Sequence, residues 1–285
     1  MIVVTGATGN VGGQLVRQLH EAGHAVRALS RNPDRLDVPT GVEVAGADLA
    51  RPDTLLPALA GADAVFLYLA RDGAVEVADA IRRAGVQHAV LLSSGAVNSL
   101  DADGADAAEP DGVNAIGEHH RHGEKAVEDS GVAWTFLRPY AFAVNARWWG
   151  RQIRAEGVVR GPYPESTSAP IHEADIAAVA VRALTEDGHA GRVHSLTGPE
   201  SLTQAEQVQT LGEALDRPVT FERITVEEAV HAMAGTPEPI VRTLMSIQAA
   251  SVGHPAVVTS TVAEITGHPA RTFAQWAADH VDDFR

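Results

Sequence analysis

Residues 5–13 read TGATGNVGG, four glycines in nine positions, between the apolar run IVV and a segment of helical periodicity. Glycine gives up more conformational freedom on folding than any other residue, so a turn this rich in it answers a need for space or for unusual backbone angles. The spacing Gly6-x-x-Gly9-x-x-Gly12 after a strand and at the start of a helix is the arrangement that receives a dinucleotide. Gly6 permits the tight turn, Gly9 lets the backbone approach a pyrophosphate, and Gly12 lets the helix lie close on the strand. Thr8, Asn10 and Val11 share this loop and join the glycines as expected cofactor contacts. The helix start adds free N–H groups and the positive end of its dipole.

The rest of the chain fits that opening. Apolar runs at 1–4, 24–29, 42–44, 62–69, 86–93 and 132–137 read as strands, and 11–21, 52–60, 74–84 and 118–130 as helices. Strict alternation with continuously apolar central strands predicts a doubly wound α/β fold, a parallel sheet covered on both faces. After Arg138-Pro139 the pattern loosens, 140–170 being aromatic, basic and rich in Gly and Pro. A helix at 175–184 and a last strand at 193–196 follow, then a mainly helical tail with breaks at Pro218, Pro237, Pro239 and Pro269. The expected division is a Rossmann-like domain over 1–138 that returns to the sheet at about 171–198, with 139–170 and 199–285 forming a smaller lobe. One segment stands apart. Residues 98–114 carry five carboxylates and three Gly or Pro breakers, which predicts a mobile acidic loop.

Composition excludes several classes of function. The chain of 285 residues is 45 % hydrophobic, enough for a sizeable core, yet has no apolar run of membrane-spanning length. It contains no cysteine, so thiol chemistry, disulfides and cysteine-ligated metal are ruled out. The start lacks the pattern of a signal peptide, and a cytoplasmic location is expected. A net charge of −15, with very few lysines and no basic cluster, argues against direct contact with nucleic acid. A monomer or homodimer acting on a small molecule is expected.

The second predicted strand ends in Leu29-Ser30-Arg31, where an NAD site usually places a carboxylate for the ribose 2′-hydroxyl. An arginine there suits a 2′-phosphate, so NADP (NADPH) is the expected cofactor. Arg35 lies nearby, and Asp48-Leu49 falls where the adenine would rest.

TGATGNVG, SRNP, GADL, LLSSGAV, HGEKAVEDSGVAWTFLRP, IHEADIAAVAVRAL and TVAEITGHPARTFAQWAADH together resemble the NmrA-like, atypical short-chain dehydrogenase/reductases, above all their NADPH-dependent quinone oxidoreductase branch. The resemblance spans essentially the whole chain. It implies NADP at the strand C-termini and a lobe that covers the nicotinamide and substrate. Ser30, Arg31, Asp48, Leu49, Leu69, Ala70, Ser93, Lys125, Pro139 and Tyr140 are then cofactor contacts beside the glycine loop.

Ordinary members of the superfamily use Tyr-x-x-x-Lys on the helix after strand five. The resemblance puts Lys125 in the lysine place, but Arg121 stands four residues earlier, and an arginine cannot donate a proton as tyrosine does. The candidate catalytic groups are therefore Lys125 to hold the ribose, His120 as a proton relay, and Ser94 beside Ser93 at the end of strand five. His119 and His122 read as polar surface residues. Three histidines spaced i, i+1, i+3 do not share a helix face, so no metal is expected. Tyr140, Phe142, Asn145 and Trp149 are the substrate candidates; with Trp148 they either stack on a flat acceptor or anchor the lobe. The expected activity is hydride transfer to a quinone or similar flat acceptor. The alternatives are an NADP-binding sensor without turnover, or a tailoring biosynthetic reductase.

Overall fold

The computed structural model describes residues 1–68, 73–98, 111–233 and 238–285, with the backbone alone at 111–115 and 239. Its centre is a seven-stranded parallel sheet: β1 (Ile2–Val4), β2 (Val26–Ser30), β3 (Glu43–Gly46), β4 (Ala64–Leu67), β5 (His88–Leu92), β6 (Ala133–Pro139) and β7 (Arg192–Leu196). The spatial order is 7-6-5-4-1-2-3. Connections from β1 run one way along the sheet and those from β4 the other, so a crevice opens between β1 and β4 at their C-terminal ends.

Alternate strand residues face opposite layers. Val4, Ala28, Phe66, Val90 and Leu137 join one apolar cluster, covered by α1 (Asn10–Glu21), which turns Val11, Leu15, Val16 and Leu19 inward, and by the helix Glu173–Thr185. Val3, Leu29, Val65, Leu67, Leu91 and Phe136 face the other way, against Leu55 of α2 (Leu55–Ala58), Val77 and Ile81 of α3 (Ala74–Arg83), and Val127 of α4 (Asp111–Asp129). The doubly wound reading therefore holds.

Helix α4 starts seven residues earlier than its sequence pattern predicts, at Asp111 rather than 118. The last part of the acidic segment, 111–114, is thus helical rather than loop. Residues 99–110 of that segment lie outside the described residues. Pro239 likewise does not interrupt a helix. It lies in the first turn of one, where its missing N–H costs nothing.

The remaining helices are α5 (Gly150–Glu156), α6 (Glu173–Thr185), α7 (Gln204–Ala214), α8 (Val226–Ala232), α9 (Glu238–Ser251), α10 (Thr261–Thr266) and α11 (Phe273–Asp279). Ile153, Val159, Val208, Leu211, Phe273, Trp276 and Phe284 form a separate apolar cluster. Helix α6 covers the sheet beside α1, and its first residue joins it to this cluster. Buried Glu173 accepts a hydrogen bond from Trp276 Nε1 at 3.0 Å and faces His280 Nε2 at 2.7 Å. Among the described residues, no helix is long and apolar enough to cross a membrane.

Candidate functional site

A cleft of about 1570 Å³ runs along the C-terminal ends of the strands, from β2 and β3 across the crevice to α9. The glycine turn forms its floor. Gly6 adopts φ +63°, and Gly9 N–H donates to the Gly6 carbonyl at 2.8 Å. Gly9 is also the N-cap of α1, supplies no capping side chain, and is followed by no acidic residue in the first turn. The first N–H groups of α1 therefore keep an uncapped, positive end beside the cleft. That arrangement fits a pyrophosphate. Ser30, Arg31, Asp48 and Leu49 line the far end, with Arg31 exposed.

Thr8, Asn10, Val11, Gly12, Ser93, Ser94, His120, Tyr140, Phe142, Asn145 and Trp149 all line this cleft, as does Trp148. Leu69 and Ala70 lie outside the described residues. Pro139 does not reach the cleft wall: it is buried as the last residue of β6.

Lys125 is a correction. It lies on the outer face of α4, its side chain 66 % exposed and paired with Asp129 at 2.9 Å, and it does not line the cleft. Helix periodicity gives the reason. Ile116 and His120 face the cleft, and the next residue on that row is Glu124, four further along. Lys125 is turned about 100° away from that row. The inward pair on this helix is thus His120-x-x-x-Glu124, one residue earlier than Arg121 and Lys125. Arg121 instead approaches Glu124 at 3.6 Å from the helix side.

Glu124 is fully buried behind cleft-lining Ser93, and sequence reasoning missed it. Arg138 of β6 grips it with two hydrogen bonds, Nε to Oε1 at 2.8 Å and Nη2 to Oε2 at 2.7 Å. Ser93 Oγ donates to the same carboxylate at 2.6 Å. The third guanidinium nitrogen donates to Asn98 Oδ1 at 2.7 Å, and Asn98 Nδ2 donates to Tyr140 Oη at 2.7 Å and Ser195 Oγ at 3.1 Å. A charged pair is thereby joined through one amide to a cleft-lining phenol. A lone arginine inside the apolar strand AWTFLRP was the signal that a buried carboxylate must exist.

Arg147 was also missed. It donates to Asn10 Oδ1 at 3.0 Å and to Asp283 Oδ2 at 2.7 Å, so the glycine loop is tied directly to the end of the chain.

Burial pushes the His120 imidazole down from 6.5 to about 4, helped by neighbouring His119 and opposed by Glu124. His120 is therefore neutral at pH 7 and is no imidazolium acid there. The stability consequence has a definite sign. Above pH 6.5 the ring is neutral folded and unfolded; between 6.5 and about 4 the unfolded chain takes the proton and the native one resists it, so stability falls as pH falls. Urea unfolding of the parent should weaken across this window, and His120→Asn should flatten the decline. An identical pH profile in both proteins would show that His120 is not held neutral.

A family model described as NAD(P)H-binding matches residues 6–187. The chain belongs to this NAD(P)H-binding family. Named reductases, related to the NmrA-like group, are among the relatives that match along the whole length. A (4-alkanoyl-5-oxo-2,5-dihydrofuran-3-yl)methyl phosphate reductase of Streptomyces griseus is 43 % identical, over 100 % of this chain and 99 % of its own. An NAD(P)H azoreductase of Xenophilus azovorans is 37 % identical, again over 100 % of this chain and 99 % of its own. The crystal structure of an NADPH-dependent quinone oxidoreductase from Escherichia coli superposes with TM-score 0.80 at 25 % identity, covering 98 % of this chain and 99 % of the other. These close relatives are named reductases or oxidoreductases, and the chain is an NAD(P)H-dependent oxidoreductase.

Proposed function

We propose that the chain is an NADPH-dependent reductase delivering hydride to a flat, uncharged, conjugated acceptor of the quinone, azo or enone class. One observation carries this reading: the make-up of the cleft wall beyond the glycine loop. Tyr140, Phe142, Trp148, Trp149, Leu244 and Ile247 line it, and among the described lining residues the charged ones, Arg31 and Asp48, lie at the other end. A phosphorylated substrate such as that named for the Streptomyces relative would ordinarily meet a cation. A planar apolar acceptor needs aromatic faces and exclusion of water.

The nicotinamide, when bound, supplies the hydride. The protein supplies orientation. The uncapped end of α1 receives the pyrophosphate, and Arg31 offers a guanidinium to a 2′-phosphate. Ser93 spends its hydroxyl proton on Glu124, which leaves its lone pairs to accept from a ligand N–H or O–H in the cleft. The lobe built from 139–170 and 199–285 closes the nicotinamide end.

NADPH oxidation against a panel of quinones, azo dyes and enones, with cofactor affinity measured in parallel, tests the reading. Reduction of at least one uncharged planar acceptor is expected, and turnover confined to phosphorylated substrates would overturn it. Arg31→Ala should reduce the preference for NADPH over NADH by about tenfold or more, the worth of a charge-assisted hydrogen bond. If the parent binds both cofactors equally, the 2′-phosphate role of Arg31 is wrong.

A further inference from the structure

The hydrogen-bond chain behind Tyr140 has a fixed direction. Arg138 can only donate, so the Asn98 atom that meets it is the carbonyl oxygen. The Asn98 amide nitrogen must then face Tyr140 and Ser195, and it can only donate. The Tyr140 oxygen is consequently an acceptor in this contact, and its own hydrogen is left over. Among the described residues no acceptor takes that hydrogen, and the residue is 43 % exposed in the cleft.

The ring is as deliberately seated as the hydroxyl. A Cβ built on Gly95 would lie 2.7 Å from Tyr140 Cγ and 2.8 Å from Cδ2, so the phenol packs flat on a bare backbone. The Tyr140 main-chain N–H is held too, donating to the Leu196 carbonyl at 3.1 Å.

We propose that Tyr140 is the proton donor of the reduction, with Asn98, Arg138 and Glu124 as positioning residues that keep its O–H pointed into the cleft. It thereby replaces the tyrosine missing four residues before Lys125, from a different element of the fold. The assignment rests on the reductase reading above. The acceptor's conjugated system takes a hydride with its electron pair from the reduced nicotinamide cofactor, and its oxygen or nitrogen, or the carbon α to an enone carbonyl, takes the phenolic proton. The Tyr140 O–H bond breaks, and the phenolate left behind keeps the Asn98 Nδ2 hydrogen bond. A proton from water then restores the phenol. Neutral His120, across the same cleft, is free to pass that proton along but is not the acid.

The test joins a binding measurement to turnover. The anion of 2-hydroxy-1,4-naphthoquinone, which stands for the oxyanion of a reduced acceptor, is titrated by visible absorbance into the full chain with NADP⁺. Tyr140→Phe should weaken it by about tenfold or more, the loss of one hydrogen bond to a charged group. Asn98→Asp should weaken it at least as much. A carboxylate there accepts the Tyr140 proton and reverses the bond while retaining the partner of Arg138. In turnover, Tyr140→Phe should lower reduction of a conjugated enone by about 10²–10⁴-fold, the range of general-acid catalysis. Parent-like enone turnover by Tyr140→Phe, with unchanged naphthoquinone binding, overturns the assignment and leaves the reductase reading standing. Naphthoquinone binding that depends on Tyr140 in a parent that reduces no acceptor upholds the oriented O–H and overturns the reductase reading.

Discussion

Gly12→Ala is expected to destabilise the whole protein and to remove cofactor binding with it. A Cβ at this position would lie 2.8 Å from the Gly6 carbonyl carbon, 3.2 Å from Ala7 Cα, and inside the van der Waals envelope of the Gly6 oxygen. These are backbone atoms of the turn that connects β1 to α1, and no side chain can rotate out of the way. Relief requires α1 to lift from the sheet, which opens the contacts of Val11, Leu15, Val16 and Leu19. Overpacking of this kind costs about 1–3 kcal/mol even where side chains can adjust, and an Ala for Gly in a helix would otherwise gain roughly 0.5–1 kcal/mol.

Gly9→Ala provides the contrast. Its added carbon would meet only the Gly6 oxygen, at 3.1 Å, while occupying the cradle of the pyrophosphate. Thermal unfolding with and without NADPH separates the two. Gly12→Ala should lower the melting temperature of the free protein, whereas Gly9→Ala should chiefly lose the stabilisation that NADPH gives. Parent-like melting and affinity in Gly12→Ala would mean that the close approach of helix and strand is not required.

The sheet, its two covering layers and the dinucleotide loop were legible in the sequence because each rests on short-range pattern. Apolar runs mark strands, a four-residue spacing marks α1, and the glycine spacing announces the turn between them. The floor of the candidate site was legible for the same reason. Its wall was less so. Lys125 was assigned by likeness to Tyr-x-x-x-Lys, yet an error of one residue on a helix moves a side chain by about 100°. The apolar residue Val127, three positions after Glu124, already indicated which face of α4 is buried. The partnership of Glu124 with Arg138, and of Arg138 with Asn98, joins residues 14 and 40 positions apart. No local pattern encodes such pairings. What the sequence did carry was their cost: an arginine in a buried strand and a glutamate on an inward helix face each demand a partner.

That pairing sets the second large effect. Arg138→Met should destabilise the chain by about 3–5 kcal/mol, the typical consequence of removing one member of a buried ion pair. The Glu124 side chain is fully inaccessible and that of Arg138 is 5 % exposed. With Arg138 gone, the carboxylate keeps Ser93 Oγ and a guanidinium at 3.6 Å on Arg121, whose side chain is 35 % exposed and therefore screened by water. Neither matches the lost bidentate grip. Glu124→Gln should also be costly, because the amide offers one acceptor where Arg138 Nε and Nη2 need two, and the buried guanidinium is left without a counter-charge. The double variant Glu124→Leu with Arg138→Met should recover much of the Arg138→Met loss, since an apolar pair of similar volume leaves no uncompensated charge. Urea unfolding of the parent, these variants and Glu124→Leu alone, which closes the cycle, measures the coupling directly. A double variant as unstable as the sum of its parts would show that Glu124 and Arg138 do not act together. Recovered stability without recovered enone reduction is the expected outcome, because the apolar pair restores the core but no longer aligns Asn98, and so no longer aims the Tyr140 hydroxyl.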